Sequence, residues 1–169
     1  MRVFNETQRF NQWFMQIINY GMTAFLLYCF YMWYIAKSNV DKVAATDSTG
    51  QIVVTVTVAL SIALLMSFKL KTEIDETGVQ IQFFPFQRKK RVIRWGDIES
   101  CEVRTYKPIA EYGGWGYKFG SKGGTAYTVK GKIGIQLVLK SGKKILVGTQ
   151  KESDARAVVN RYMKNDERI

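Results

Sequence analysis

Histidine is missing from this chain altogether. Its absence removes the commonest general base, the Ser–His and Cys–His nucleophile pairs and most zinc sites. Cysteine is scarce, with two in 169 residues. Cys29 lies in an apolar run and Cys101 in a charged segment, so each reads as a small apolar filler and not as half of a disulfide framework. Charge is missing from two stretches: residues 10–36 and 48–68 hold no Asp, Glu, Lys or Arg. About 20 apolar residues cover roughly 30 Å of hydrocarbon as a helix, so each stretch has the length of a membrane span.

The first span covers about residues 12–36. Trp13 and Trp33 are 20 residues apart, about 30 Å along a helix, with Phe10 and Phe14 near one and Tyr31 and Tyr34 near the other. Aromatic clusters at both ends match the interfacial belts of a bilayer helix. The second span, about residues 50–68, is rich in Val and Thr at first, then in Ala, Ser and Leu. A lone segment in lipid satisfies its backbone only as a helix. Ala59 and Ala63 offer small side chains for close approach to the first helix. Residues 1–68 thus read as an antiparallel transmembrane helical hairpin. The first apolar run exceeds the 7–15 residues usual for a signal peptide, and cleavage after Val43-Ala44-Ala45 leaves the second span unexplained. Arg2, Arg9, Lys69 and Lys71 flank one side, while Lys37 and Lys42 are balanced by Asp41 and Asp47 on the other. That bias puts both termini in the cytoplasm, as a multi-pass protein of the cell's inner (cytoplasmic) membrane.

The formal net charge is +11, and residues 69–169 carry 21 Lys and Arg against 11 Asp and Glu. A basic domain tethered to a membrane faces anionic headgroups, where each Lys or Arg gains roughly 1 kcal/mol. Nucleic acid is the other standard partner of such a domain. The tether already accounts for the charge, so anionic membrane lipid or a membrane-protein partner is expected, and nucleic acid is not.

From residue 69 on, the pattern is of short strands broken by turns. Residues 69–75 and 79–84 form a hairpin about Glu76-Thr77-Gly78. Further strands are read at 91–95, 98–106, 125–129, 133–139 and 144–147, seven in an antiparallel meander. A helix follows, with Ala155, Val158, Val159, Tyr162 and Met163 on one stripe and Glu152 and Asp154 in its first turn. Seven strands and a capping helix are the order of a pleckstrin-homology (PH) domain. Ile74-Asp75-Glu76-Thr77-Gly78-Val79, Phe84-Pro85-Phe86, Ile93-Arg94-Trp95-Gly96-Asp97-Ile98, Glu111-Tyr112-Gly113-Gly114-Trp115-Gly116 and Leu146-Val147-Gly148-Thr149-Gln150 give the chain its likeness. On these pieces it resembles the bacterial membrane-anchored PH-like proteins. The resemblance implies an α+β membrane protein: a transmembrane hairpin, then a seven-stranded antiparallel PH-like β-barrel or sandwich over residues 69–169. Phosphoinositide-binding PH domains carry Lys and Arg about the first hairpin loop. Here that loop is the acidic Asp75-Glu76-Thr77-Gly78, so the resemblance does not bring phosphoinositide binding with it.

Candidate lipid- or partner-binding residues are Lys69 and Lys71 beside the second span, the run Arg88-Lys89-Lys90-Arg91, and Tyr112, Trp115 and Tyr117. The basic run either touches anionic headgroups or an acidic partner, or is a solvated turn. The loop 111–124 mixes glycines with aromatics. It lacks the Gly-Lys-Ser/Thr of a phosphate loop and the third glycine of a dinucleotide fingerprint. Its rings either bind a partner or the bilayer interface, or fold back to plug the end of a barrel. Asp97, Glu99 and Glu102 are too few and too dispersed for a metal site, and no Ser or Thr has a visible base. No cofactor, metal or catalytic residue is expected. The chain reads as a non-enzymatic membrane protein acting as a binding or assembly module, or as a structural subunit of a larger membrane complex.

Overall fold

The computed structural model describes residues 3–120 and 124–166. Arg2, counted above among the flanking charges, and residues 121–123 of the glycine-rich loop fall outside them. The chain divides into two compact units, Phe10–Phe68 alone and Met1–Arg9 together with Lys69–Ile169. Residues 3–9 thus group with the second unit, whereas the expected N-terminal domain ran over 1–68.

In the first unit, helix α1 (Trp13–Phe30) has 18 residues and runs on into a five-residue π turn, Tyr31–Ile35. Helix α2 (Ser48–Ser67) has 20 residues, and the Asp47 carboxylate caps it by accepting from the Gly50 N–H at 3.1 Å. The residues of α1 that are not exposed are Met15, Gln16, Asn19, Met22, Leu26, Cys29 and Phe30, with Trp33 beyond them, and those of α2 are Gly50, Gln51, Val54, Thr55, Val58, Ser61, Ile62, Leu65 and Ser67, which mark its seam. Ala59 and Ala63 are exposed and do not lie on this seam. Side chains at 54, 58, 62 and 65 share one stripe, and 59 and 63 fall beside it. Among the described residues only α2 is a helix long and apolar enough to cross a membrane, and its most apolar stretch is 6% buried, unlike the core helix of a globular domain. The expected pair of spans is corrected to one: Gln16, Asn19, Tyr20 and Tyr28 keep α1 below the same criterion.

The second unit is a pair of sheets. Strands β1 (Phe4–Arg9), β2 (Lys69–Ile74), β3 (Gly78–Phe84) and β4 (Arg91–Arg94) form the first, in that order and antiparallel throughout. The other holds β5 (Ile98–Thr105), β6 (Gly116–Phe119), β7 (Gly124–Thr128), β8 (Ile133–Leu139) and β9 (Lys144–Gly148), ordered β5-β8-β9-β7-β6. Here β7 and β9 pair in parallel. The seven-stranded antiparallel barrel is thus overturned: the described residues form nine strands in two sheets, with no closure and one parallel pair. The seven expected segments are all strands. The two additional ones are β1, which enters before the helices, and β6, which forms inside the glycine-rich loop.

Alternation builds the core. Leu70, Thr72 and Ile74 point inward on β2, and Val79, Ile81 and Phe83 on β3, with the intervening side chains half exposed. On β8 and β9, Ile135, Leu137, Ile145 and Val147 are fully buried. Helix α4 (Glu152–Asp166) covers this core with Ala155, Val158 and Val159, and its Tyr162 stacks on Trp95, centroids 5.2 Å apart. The acidic hairpin turn is structural, since the Asp75 carboxylate accepts from the Thr77 and Gly78 N–H groups and from Gln80.

Candidate binding surface

Between β3 and β4 the chain turns through residues 85–90. The Gln87 N–H donates to the Phe83 carbonyl at 2.7 Å, and the Gln82 amide donates to the Arg88 carbonyl at 2.5 Å. Both ends of the turn converge on one buried phenol. Gln87 Nε2 and Arg91 Nη1 each donate to the Tyr127 hydroxyl at 3.1 Å. Arg91 is thereby drawn inward, leaving Arg88, Lys89 and Lys90 exposed. Lys90 is ion-paired with Glu73. Arg88 and Lys89 have no ion-pair partner among the described residues.

An aromatic ladder runs beside these cations. Phe86 stacks on Phe83 at 6.1 Å and contacts Tyr117 at 6.5 Å. Tyr117 in turn meets Phe119 at 5.4 Å and Tyr127 at 5.1 Å. The inner rings, Phe83 and Tyr127, are buried, while Phe86 is 65% and Phe119 74% exposed. Burial pushes the Tyr117 phenol upward, the neighbouring Tyr127 adds to this, and the Arg91 guanidinium opposes it. The result is a rigid base presenting two apolar rings beside unpaired positive charge.

Of the residues expected from sequence, Arg88, Lys89, Lys90, Arg91 and Tyr117 come together here. Lys69 and Lys71 lie on the outward face of β2. Lys69 pairs in register with Arg9 and Phe84, its ammonium 5.3 Å from the Phe84 ring centroid, and Lys71 pairs with Thr7 and Gln82. Tyr112 and Trp115 belong elsewhere. Tyr112 packs edge-on against Tyr106, centroids 6.2 Å apart, and the Trp115 indole N–H donates to the Gly131 carbonyl at 2.9 Å. Beside Tyr112, Arg104 grips Glu111 at 2.7 Å and Gln136 at 3.0 Å, bordering a cleft of about 530 Å³ that Glu102 and Lys144 also line. Sequence reasoning missed Phe86, Phe119 and the anchoring Tyr127. The usable signal was a phenylalanine two residues from a run of four cations, and another next to Lys118.

Asp97 sits in the short turn Trp95–Asp97, Glu99 and Glu102 are exposed on β5, and among the described residues no group of three His, Cys, Asp or Glu converges to hold a metal ion. Burial pushes the Cys101 thiol up to about 12, so it stays protonated at neutral pH and is a poor nucleophile. No protein-family model and no curated protein matches the chain.

Proposed function

We propose that this chain is a non-enzymatic membrane protein whose β unit binds anionic lipid headgroups through Phe86, Phe119 and the cations at 88–91. One observation carries the reading: two exposed phenylalanines on a rigid ladder stand beside two cations without counter-ions. Aromatic rings favour the headgroup level of a bilayer, and cations gain there from the anionic surface. We further propose that the chain lies in the cytoplasmic membrane, a reading that the length and apolarity of α2 support.

The test compares the full chain in nanodiscs of neutral lipid with discs containing anionic lipid, by amide hydrogen exchange. Residues 85–91 and 116–119 are expected to gain protection in anionic discs, and to lose it in 1 M salt or in the Arg88→Gln, Lys89→Gln variant. Neutralising the two unpaired cations removes about 2 kcal/mol, roughly 30-fold in headgroup affinity. Equal exchange in both discs sinks the lipid reading. Protection that appears only with a co-purifying membrane protein assigns the surface to that protein instead.

A further inference from the structure

Four strands end the two sheets, β1 and β4 in one, β5 and β6 in the other. Three of these edges are accounted for. Lys151 Nζ donates to the Asn5 carbonyl on β1, a strand that Glu6 and Gln8 also tie to residues 148–150. Helix α4 packs against β5, which leads on into the short helix α3 (Pro108–Tyr112). Strand β6 carries Tyr117 and Phe119 and belongs to the aromatic surface. Strand β4 has no such cover, and β3 is the one strand bonded to it.

The direction of its backbone groups follows from the ladder. At the head of β3 the Gly78 carbonyl accepts the Asp75 N–H at 3.1 Å, and the Gly78 N–H donates to the Asp75 carboxylate at 3.2 Å, so both face β2. Facing residues of an antiparallel pair alternate between exchanging two hydrogen bonds and exchanging none. Gly78 is the register partner of Arg94, and Gln80 that of Val92, so both pairs are of the unbonded kind. The backbone groups of Val92 and Arg94 therefore point away from β3. Arg94 is the N-cap of the turn Trp95–Asp97, which takes its carbonyl. The Val92 N–H and C=O and the Arg94 N–H are left without a partner among the described residues.

A groove of about 340 Å³ borders this edge, lined by Val92 and Ile93 from β4 and by Leu139 and Lys140 from the end of β8. Ile93 is buried and Leu139 half-buried, so the groove has an apolar side. Val92 is 47% exposed, and Arg94 stands exposed on the same face of β4, two residues on. Neither Arg94 nor Lys140 has an ion-pair partner among the described residues.

We propose that β4 is a docking edge for an extended acidic segment of a partner protein, which joins the first sheet as a strand antiparallel to β4. Unpartnered N–H and C=O groups on alternate residues are complementary to the backbone of a strand, and an acyl chain has nothing to offer them. The register assigns the partner's side chains. The residue opposite Arg94 shares its face and is Asp or Glu. The next, opposite Ile93, turns to the Leu139 side and is apolar, and the one opposite Val92 is β-branched. A second copy of this chain fits less well, because β4 paired antiparallel with itself sets two Arg94 side chains on one face as diagonal neighbours. The edge uses none of Phe86, Phe119, Arg88 and Lys89, so this reading and the lipid reading are tested separately.

The test uses the full chain in neutral phosphatidylcholine nanodiscs and a fluorescein-labelled peptide, Gly-Gly-Asp-Glu-Val-Thr-Glu-Asp-amide, whose Glu-Val-Thr lies opposite Arg94, Ile93 and Val92. Its anisotropy is expected to rise saturably. Methylating the threonine backbone nitrogen removes the bond to the Val92 carbonyl and weakens binding about tenfold. Methylating the valine nitrogen, which points away from β4, leaves binding unchanged. Arg94→Glu weakens binding about tenfold, and a peptide with Lys in place of the Glu before Val restores it. By hydrogen exchange the Val92 and Arg94 amides gain protection in the complex. The Ile93 amide, bonded to β3, stays protected throughout and reports an intact sheet in the variant. The proposal is overturned if no saturable rise occurs, or if the two methylated peptides bind alike, which leaves charge alone as the cause. Protection of Val92 and Arg94 without peptide that grows with chain concentration also overturns it, and gives the edge to a second copy.

Discussion

Gly78 carries more of the first sheet than its size suggests. It sits at φ +149° at the start of β3, and a Cβ there would lie 2.0 Å from the Ile93 carbonyl oxygen on β4. That oxygen belongs to backbone and cannot turn aside, so any larger residue must push β3 and β4 apart. Gly78→Ala is expected to cost about 3 kcal/mol or more, as a lower urea midpoint for the detergent-solubilised chain. Gly113→Ala is the matched control. It shares a positive φ, +70°, but has open space around its Cβ position, so it costs about 1 kcal/mol. Similar losses in the two variants defeat the steric account. Tyr127 shows a related economy in the candidate surface, since a single buried hydroxyl accepts from both ends of the 85–90 turn. Nothing in the local sequence joins residue 127 to residue 87.

The same limit decides which elements sequence reveals. The seven strands read from alternation are present because apolar and polar residues alternate where one face is buried. Strand β1 escapes that test, since after Phe4 its inward residues are Glu6 and Gln8. They are tolerated inside because Glu6 accepts from the Thr149 hydroxyl at 2.6 Å and the Gln150 N–H at 2.9 Å, and Gln8 donates to the Gly148 carbonyl at 2.6 Å. Those partners are more than 130 residues away in sequence, so the pattern is legible only once β1 and β9 are neighbours. Strand β6 is short and starts at a glycine at φ +124°, which disguises it as loop. The helix seam was misread for another reason: small residues were taken as the contact, but Ala59 and Ala63 are exposed while the branched Val54, Val58 and Ile62 are half-buried. Ala59→Leu and Ala63→Leu are therefore expected to leave the thermal unfolding of the chain in nanodiscs unchanged, whereas Val58→Ala lowers stability by about 1–2 kcal/mol. A larger loss from Ala59→Leu than from Val58→Ala places the seam wrongly.

At the scale of the whole molecule, the pairing of β1 with β2 constrains how the chain meets a membrane. Arg9 and Lys69 are register partners, so the chain leaves the sheet for the helical residues and returns to it at adjacent strand ends. A single crossing would separate strands that are hydrogen-bonded along six residue pairs, which leaves none or two. Helix α2 meets the length and apolarity needed, and among the described residues no other helix does. Single cysteines placed at Arg9, Lys42 or Lys69, in a chain with Cys29→Ala and Cys101→Ala, distinguish the two counts. With two crossings, an impermeant maleimide added to intact cells labels position 42, and positions 9 and 69 react only after the membrane is opened. Uniform protection of all three positions until the membrane is opened means that the helices do not cross. Labelling of position 9 without position 69 in intact cells is incompatible with the β1–β2 pair and would overturn the sheet itself.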